Sequence, residues 1–245
     1  MHKNIFLIFL SLLIGFSSLS QNTSKAEIYS WYDDQTGIEN SVLFRGVEYV
    51  EKDRMINDKQ KFFNSDKYQK GWVIYDGQLF DDVSLKFNIY DDVLMVNVQQ
   101  GEKNLFYQLF SDQVDYFQIQ DHTFKYLEAG NDAGIQGFYE VISEDKAFKI
   151  FKKHIKDRKE KRDKSLAYIE FTTAKPDFIF QYNQEIFDLD NRRDLFSRFP
   201  NLKKEIKDFY RDYRKLSRDK PEAFMVKLAQ KMNSLLLYTS NAIDE

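Results

Sequence analysis

Apolar positions along this chain of 245 residues fall into three regimes. They are nearly continuous over residues 5–16, recur mostly at every second position in short runs over 42–187, and recur at every third or fourth over 195–235. Period two marks strands with one buried face, and a period near 3.6 marks amphipathic helices. The sharpest local signal is Gly71-Trp72-Val73-Ile74-Tyr75, then Asp76-Gly77, then Gln78-Leu79-Phe80. Asp-Gly suits a two-residue type I′ turn, whose central residues both need positive φ, so these runs predict a hairpin. Val83, Leu85, Phe87 and Ile89 carry its apolar face onward, and Asp91-Asp92 predicts the next turn. Residues 93–98 and 105–110 extend the meander on either side of Gly101.

The run 42–50 predicts a first strand, ahead of a polar connection over 51–61. Three further hairpins are predicted: 114–120 with 123–127, 136–142 with 147–155, and 178–182 with 185–187 through Asn183-Gln184. Glycines and small polar groups over 129–134 predict a flexible connection. Residues 156–164 are nine charged side chains in succession, which excludes them from any core and predicts a solvated hairpin tip.

At Asp190-Asn191 the period changes, with an N-cap ahead of Leu195, Phe196 and Phe199. After Pro200, the stripe Leu202, Ile206, Phe209, Tyr213 and Leu216 predicts a second helix whose lysines and arginines lie elsewhere on its surface. Asp219, Pro221 and Glu222 announce a third, with Phe224, Leu228, Met232 and Leu235 as its stripe. The fold class is therefore α+β: a curled or barrel-like antiparallel sheet of about ten strands, with two to three C-terminal helices packed against it.

The first apolar run follows Lys3 and precedes small residues at Ser18 and Ser20, the pattern of a secretory signal peptide cleaved before Gln21. It is short for a membrane span, and no second apolar segment follows it, so no transmembrane segment is expected in the mature chain. The expected organisation is a signal peptide at 1–20, a polar segment at 21–40, an antiparallel β domain at 41–189 and helices of the same domain at 190–240. The expected location is the periplasm or the exterior. The chain has no cysteine, so neither a disulfide nor a lipid-modified cysteine is available and the fold must rest on core burial. Its 23 Phe and 15 Tyr supply that core.

Charge is unevenly spread. Over residues 21–145, 11 Lys+Arg stand against 23 Asp+Glu, a net of −12, whereas over 146–220 there are 22 against 13, a net of +9. Opposed segments of one domain attract each other across their contact, or else one of them steers a partner.

The segments GVEYVEKDRM, KGWVIYDGQLFDDVSLKFNIYDDVLMV, IQGFYEVI and FIFQYNQEIFDLDNRRDLFSRF, in that order, resemble a set of exported proteins of Bacteroidota-type bacteria without assigned function. The resemblance implies an exported β-rich fold and carries no catalytic or binding position with it.

Candidate chemistry is sparse. Beyond the signal segment only His122 and His154 remain, one in a turn and one on a basic strand, and without cysteine both are read as solvated rather than as zinc ligands. Asp188, Asp190 and Asp194 lack the glycine and terminal glutamate of a calcium loop and are read as acids at a helix N-terminus. No nucleophile elbow, phosphate loop or dinucleotide motif is present, so no cofactor is expected. Asp33-Asp34, Asp81-Asp82 and Asp91-Asp92 offer paired carboxylates for a hydrolase, but adjacent acids in β-turns diverge. Acids interrupt the basic run and no aromatic residue interleaves, which argues against nucleic acid.

The leading expectation is a non-enzymatic exported binding or interaction protein of the cell envelope. Its candidate anionic-partner surface is Lys152, Lys153, Lys156, Arg158 and Lys159. The alternative is a carrier or chaperone of a lipid or apolar ligand held between sheet and helices, and the third is a hydrolase. Expected partners are accordingly an envelope protein, an anionic surface or an apolar ligand. Helices that fill the concave sheet face argue for the first; an unfilled apolar cavity argues for the second.

Overall fold

The computed structural model describes residues 42–100, 102–128, 134–145, 147–164 and 166–241. The signal peptide and polar segment expected at 1–40, the break at Gly101 and most of the loop at 129–134 lie outside the described residues. The class is α+β. Eleven strands form one antiparallel sheet: β1 (Val47–Glu48), β2 (Gln69–Tyr75), β3 (Gln78–Asn88), β4 (Val93–Gln100), β5 (Lys103–Gln108), β6 (Val114–Ile119), β7 (His122–Glu128), β8 (Gln136–Glu144), β9 (Phe148–Lys153), β12 (Asp177–Tyr182) and β13 (Glu185–Asp188). Their spatial order is β1-β5-β4-β3-β2-β6-β7-β8-β9-β12-β13. A second sheet pairs β10 (Lys156–Asp163) with β11 (Leu166–Thr173).

The β2–β3 hairpin forms as the Asp-Gly signal predicts: Asp76 has φ +50° and Gly77 φ +73°. Further along, Gly71 faces Val83 while Val73 faces Phe80, so β3 carries one residue more than β2 over that interval. Asp82, at φ +52°, is where the chain takes up the excess. Such a bulge resets the alternation, so Phe80 and Val83 point into the same core although they are three residues apart.

The large sheet is curled but not closed. The rings of Phe87 on β3 and Phe138 on β8 lie 5.7 Å apart. Four strand spacings separate those strands in the sheet, which in a flat sheet is about 19 Å. The curl encloses a first core around Phe87, Phe117, Phe124 and Phe138, all buried. A side-chain latch takes the place of strand pairing across the gap. Asp92, beyond the end of β3, accepts hydrogen bonds from the Phe138 amide at 3.2 Å and from Lys153 Nζ at 2.7 Å. Gly137 makes this approach possible, since a Cβ there would lie 1.7 Å from Asp92 Oδ2.

Two strand expectations are corrected. Residues 42–50 form a 3-10 turn at Val42–Arg45 and then only the two-residue β1. Leu43 leaves the strand path to become fully buried in the first core, and Gly46 passes so close to β5 that a Cβ would meet the Gln108 carbonyl at 2.5 Å. Residues 156–163, expected to be a hairpin tip, form the strand β10, and the turn falls later, at Lys164 with φ +51°. The reason is long-range: β11 is held on its other edge by Arg54 and Lys59, whose carbonyls accept the Ile169 and Phe171 amides at 2.8 Å each. Burial of Ile169 and Phe171 fixes β11, and β10 pairs along it.

Four helices follow: α1 (Arg192–Arg198), α2 (Lys203–Asp212), α3 (Arg214–Asp219) and α4 (Pro221–Asn241). Asn191 caps α1 reciprocally with Asp194, whose carboxylate accepts the Asn191 amide at 2.8 Å. The single helix expected after Pro200 is interrupted at Tyr213, whose ψ of +19° ends α2. The helices bury Leu195, Ile206, Phe224, Leu228 and Met232 against Phe148, Ile150, Phe178 and Phe180 to make a second core. Burying each such large apolar side chain contributes on the order of 2 kcal/mol.

Candidate functional site

Both cores lie on one face of the sheet, and the strand register shows what separates them. Phe124 on β7 faces Glu140 on β8, Glu140 faces Lys152 on β9, and Lys152 faces Phe178 on β12. Phe124 belongs to the first core and Phe178 to the second, so Glu140 and Lys152 occupy the seam between them. His122 precedes Phe124 by two residues and His154 follows Lys152 by two, which places both imidazoles on this same face.

They converge on one carboxylate. Glu140, whose side chain is 5% exposed, meets His122 Nδ1 at 2.5 Å through Oε1, and His154 Nε2 at 2.7 Å and Lys152 Nζ at 3.1 Å through Oε2. Lys152 also donates to Glu222 on α4 at 2.6 Å, tying the helix layer to the seam. Phe63 stands edge-on to both imidazoles, at 5.0 and 5.1 Å. Burial would push the Glu140 carboxyl up, but the hydrogen bonds from His154 and His122 and the charge of Lys152 outweigh it and hold it at about 2. The reading of both histidines as solvated is thereby corrected. Each imidazole gives one ring nitrogen to the carboxylate, and among the described residues no group of three or more His, Asp or Glu is placed to hold a metal.

A sequence signal for this cluster exists. Glu140 sits inside Phe138-Tyr139-Glu140-Val141-Ile142, an otherwise apolar run where an ionised side chain must find partners. What the sequence does not contain is the register that brings His122 and His154 to it.

The proposed anionic-partner residues are mostly drawn inward. Lys152 belongs to the seam and Lys153 to the Asp92 latch. Lys156 donates to the Gln60 carbonyl and Arg158 lies 3.5 Å from Asp53. Lys159 is exposed and has no such partner among the described residues. The paired carboxylates do turn work: Asp91 accepts from the Asn88 side chain at 2.6 Å while Asp92 serves the latch, and Asp82 pairs with Lys70 at 2.9 Å. Asp33-Asp34 falls outside the described residues. Asp194 completes the α1 cap.

A second charge cage lies at the base of the β10–β11 arm. Lys61, buried at 3% exposure, is held by Glu51 at 2.9 Å and Asp53 at 2.8 Å, with Asp91 at 3.5 Å. Burial alone would lower its pKa; the bonds to Asp53 and Glu51 prevail and raise it. Asp53 also meets Arg158, so this cage fixes the arm to the body.

No family model matches the chain, and neither a curated protein nor a solved structure does. No helix among the described residues is long and apolar enough to cross a membrane.

Proposed function

We propose that the chain is an exported, non-enzymatic interaction protein of the cell envelope, and that it contacts an anionic envelope surface through the β10–β11 arm. The observation that carries this reading is the arm itself. All eight residues of β10 are charged, seven are exposed, and the strand stands outside the large sheet. Alternation assigns its two sides. Lys156 and Arg158 bond Gln60 and Asp53 on one side; Lys159 and Lys161 lie on the other, beside Glu170 and its partners Asn57 and Lys59, with Arg162 exposed near the turn. Lys159, Lys161 and Arg162 have no hydrogen-bond or ion-pair partner among the described residues. Asp82, Asp91 and Asp92 are committed to structural partners, and both cores are densely filled with aromatic rings, which supports interaction over catalysis or internal cargo. Export is supported by the N-terminal sequence pattern.

Sedimentation with vesicles of phosphatidylglycerol, against phosphatidylcholine, tests the reading. Near a charged surface each basic residue contributes about 1 kcal/mol, so Lys159→Glu/Lys161→Glu/Arg162→Glu is expected to lower the partition about a hundredfold or more with an unchanged unfolding midpoint. Equal sedimentation with both lipids, or of wild type and triple variant, removes the reading.

A further inference from the structure

A cleft of about 670 Å³ opens between the end of the sheet and the helices, within the 300 to 1,000 Å³ range of small-molecule sites. Its two walls differ in charge. The helices contribute Arg192 from α1, Arg211 from α2 and Arg214 from α3, and no carboxylate. The sheet side contributes Lys175 together with Asp177 and Asp190. Four cationic side chains thus face two carboxylates, with the excess on the helix wall. Arg211 is engaged by Asp208 at 2.7 Å and Asp212 at 3.0 Å, whereas Arg192, Arg214 and Lys175 have no ion-pair partner among the described residues.

The floor is apolar and fixed. Phe224 and Leu189 are 2% exposed and belong to the second core, so their positions are set by packing that the cleft does not control. Tyr210 leans its ring on Phe224 at 4.9 Å. Its hydroxyl has no hydrogen-bond partner among the described residues, and burial raises its pKa, so it stays a neutral donor. The acids crowd one another beside the sheet wall: burial, then Asp190, Asp177 and, from the first turn of α1, Asp194, raise the Asp188 carboxyl. An anion is therefore repelled from the sheet side and attracted to the helix side.

We infer that this cleft binds a small organic anion, an acidic head group held by Arg192 and Arg214 on an apolar body resting against Tyr210 and Phe224. The guanidinium groups suit a carboxylate or a phosphate equally, since both accept paired N–H donors. None of the arm residues proposed to meet a surface lines this cleft, so the inference does not depend on that reading.

Calorimetric titration of the whole protein with decanoate, decyl phosphate and decyltrimethylammonium tests the inference. The two anions are expected to bind one to one with dissociation constants on the order of 10 to 100 μM, and the cation at least about tenfold more weakly. Whichever anion binds more tightly identifies the head group. Arg192→Glu/Arg214→Glu is expected to weaken anion binding at least about tenfold. Tyr210→Ser, which shortens the apolar floor, should weaken decanoate more than acetate. Lys103→Glu, exposed on β5 near the opposite edge of the large sheet, should leave all affinities as they are. The inference is overturned if no saturable binding occurs below about 1 mM, if the cation binds as well as the anions, or if the double arginine variant, folded with the wild-type midpoint, keeps wild-type affinity.

Discussion

Asn233 on α4 acts as a one-residue partner strand for Phe148 on β9. Its Oδ1 accepts the Phe148 amide at 3.0 Å, and its Nδ2 donates to the Phe148 carbonyl at 2.9 Å. The same Nδ2 reaches the Ala229 carbonyl at 3.1 Å and Asp145 at 3.0 Å. Register explains the need. β8 ends at Glu144, which faces Lys149, so the edge of Phe148 on that side has no strand beside it. Phe148 is fully buried, so its amide and carbonyl must be satisfied within the protein.

Asn233→Ala should therefore destabilise the protein by about 3 kcal/mol, because it leaves two buried backbone groups unpaired at about 1 to 3 kcal/mol each. Asn233→Asp keeps the acceptor but sets an ionised oxygen against the Phe148 and Ala229 carbonyls and the Asp145 carboxylate, and should destabilise at least as much as alanine at neutral pH. Urea unfolding measures this. A loss under about 0.5 kcal/mol for the alanine variant would mean that the amide is not what pairs Phe148.

Glu140 predicts a pH dependence whose sign is fixed. Its carboxyl is held at about 2 in the fold against an ordinary 4.5. A depressed carboxyl contributes stability that is complete above the ordinary value and disappears as pH falls towards the folded one. The contribution is on the order of 3 kcal/mol. Glu140→Gln should cost that much or more at neutral pH, since it also takes the carboxylate from both imidazoles and leaves Lys152 with Glu222 alone. The difference between wild type and variant in urea should then shrink steadily from about pH 5 to about pH 2. A difference independent of pH over that range would refute the assignment.

Local signals in the chain were sufficient where local physics decides. Asp76-Gly77 and Asn183-Gln184 each place two consecutive residues at positive φ, and turn chemistry alone locates both hairpins. The apolar stripes of α1 and α4 likewise name the residues that the second core buries. The charged run at 156–163 has no such signal for a strand, because the reason it is one lies in Ile169, Phe171 and the carbonyls of Arg54 and Lys59. The seam is similar. His122 and His154 look alike in sequence to any two surface histidines, and only the pairing of β7, β8 and β9 brings them to Glu140. Asn233 reads as one more polar residue on a helix until β8 is seen to stop short of Phe148.

Two glycines should respond differently to substitution. Gly77 has φ +73° and open space where a Cβ would go, so Gly77→Val should cost only backbone strain, on the order of 1 to 3 kcal/mol. Gly137 has φ +110° and lies against the latch, with a Cβ 1.7 Å from Asp92 Oδ2 and 2.7 Å from Lys153 Nζ. Gly137→Ala should exceed Gly77→Val because it adds the loss of the latch to the strain. Asp92→Asn/Gly137→Ala should then be less than additive, since the first change has already weakened what the second displaces. Strict additivity in a double-mutant cycle would separate Gly137 from the latch.

The opposed charges predict how stability answers to salt. Lys152 with Glu140, Lys153 with Asp92, and Arg158 with Asp53 each join the basic segment to the acidic one within the fold. Raising salt from about 0.01 M to 0.5 M shortens the Debye length from about 30 Å to under 5 Å. Attraction between the segments weakens over that range, so the urea midpoint should fall, modestly, because the half-buried pairs are screened less than exposed ones. Repulsion along Lys159, Lys161, Arg162 and Lys164 acts the other way, since added salt relieves it. The sign of the change decides which dominates. Urea leaves ionic strength free, which guanidinium does not. The Lys159→Glu/Lys161→Glu variant removes the repulsion and should make the fall with salt steeper. A midpoint that climbs with salt in both proteins would show that internal pairing does not govern the charge balance of this fold.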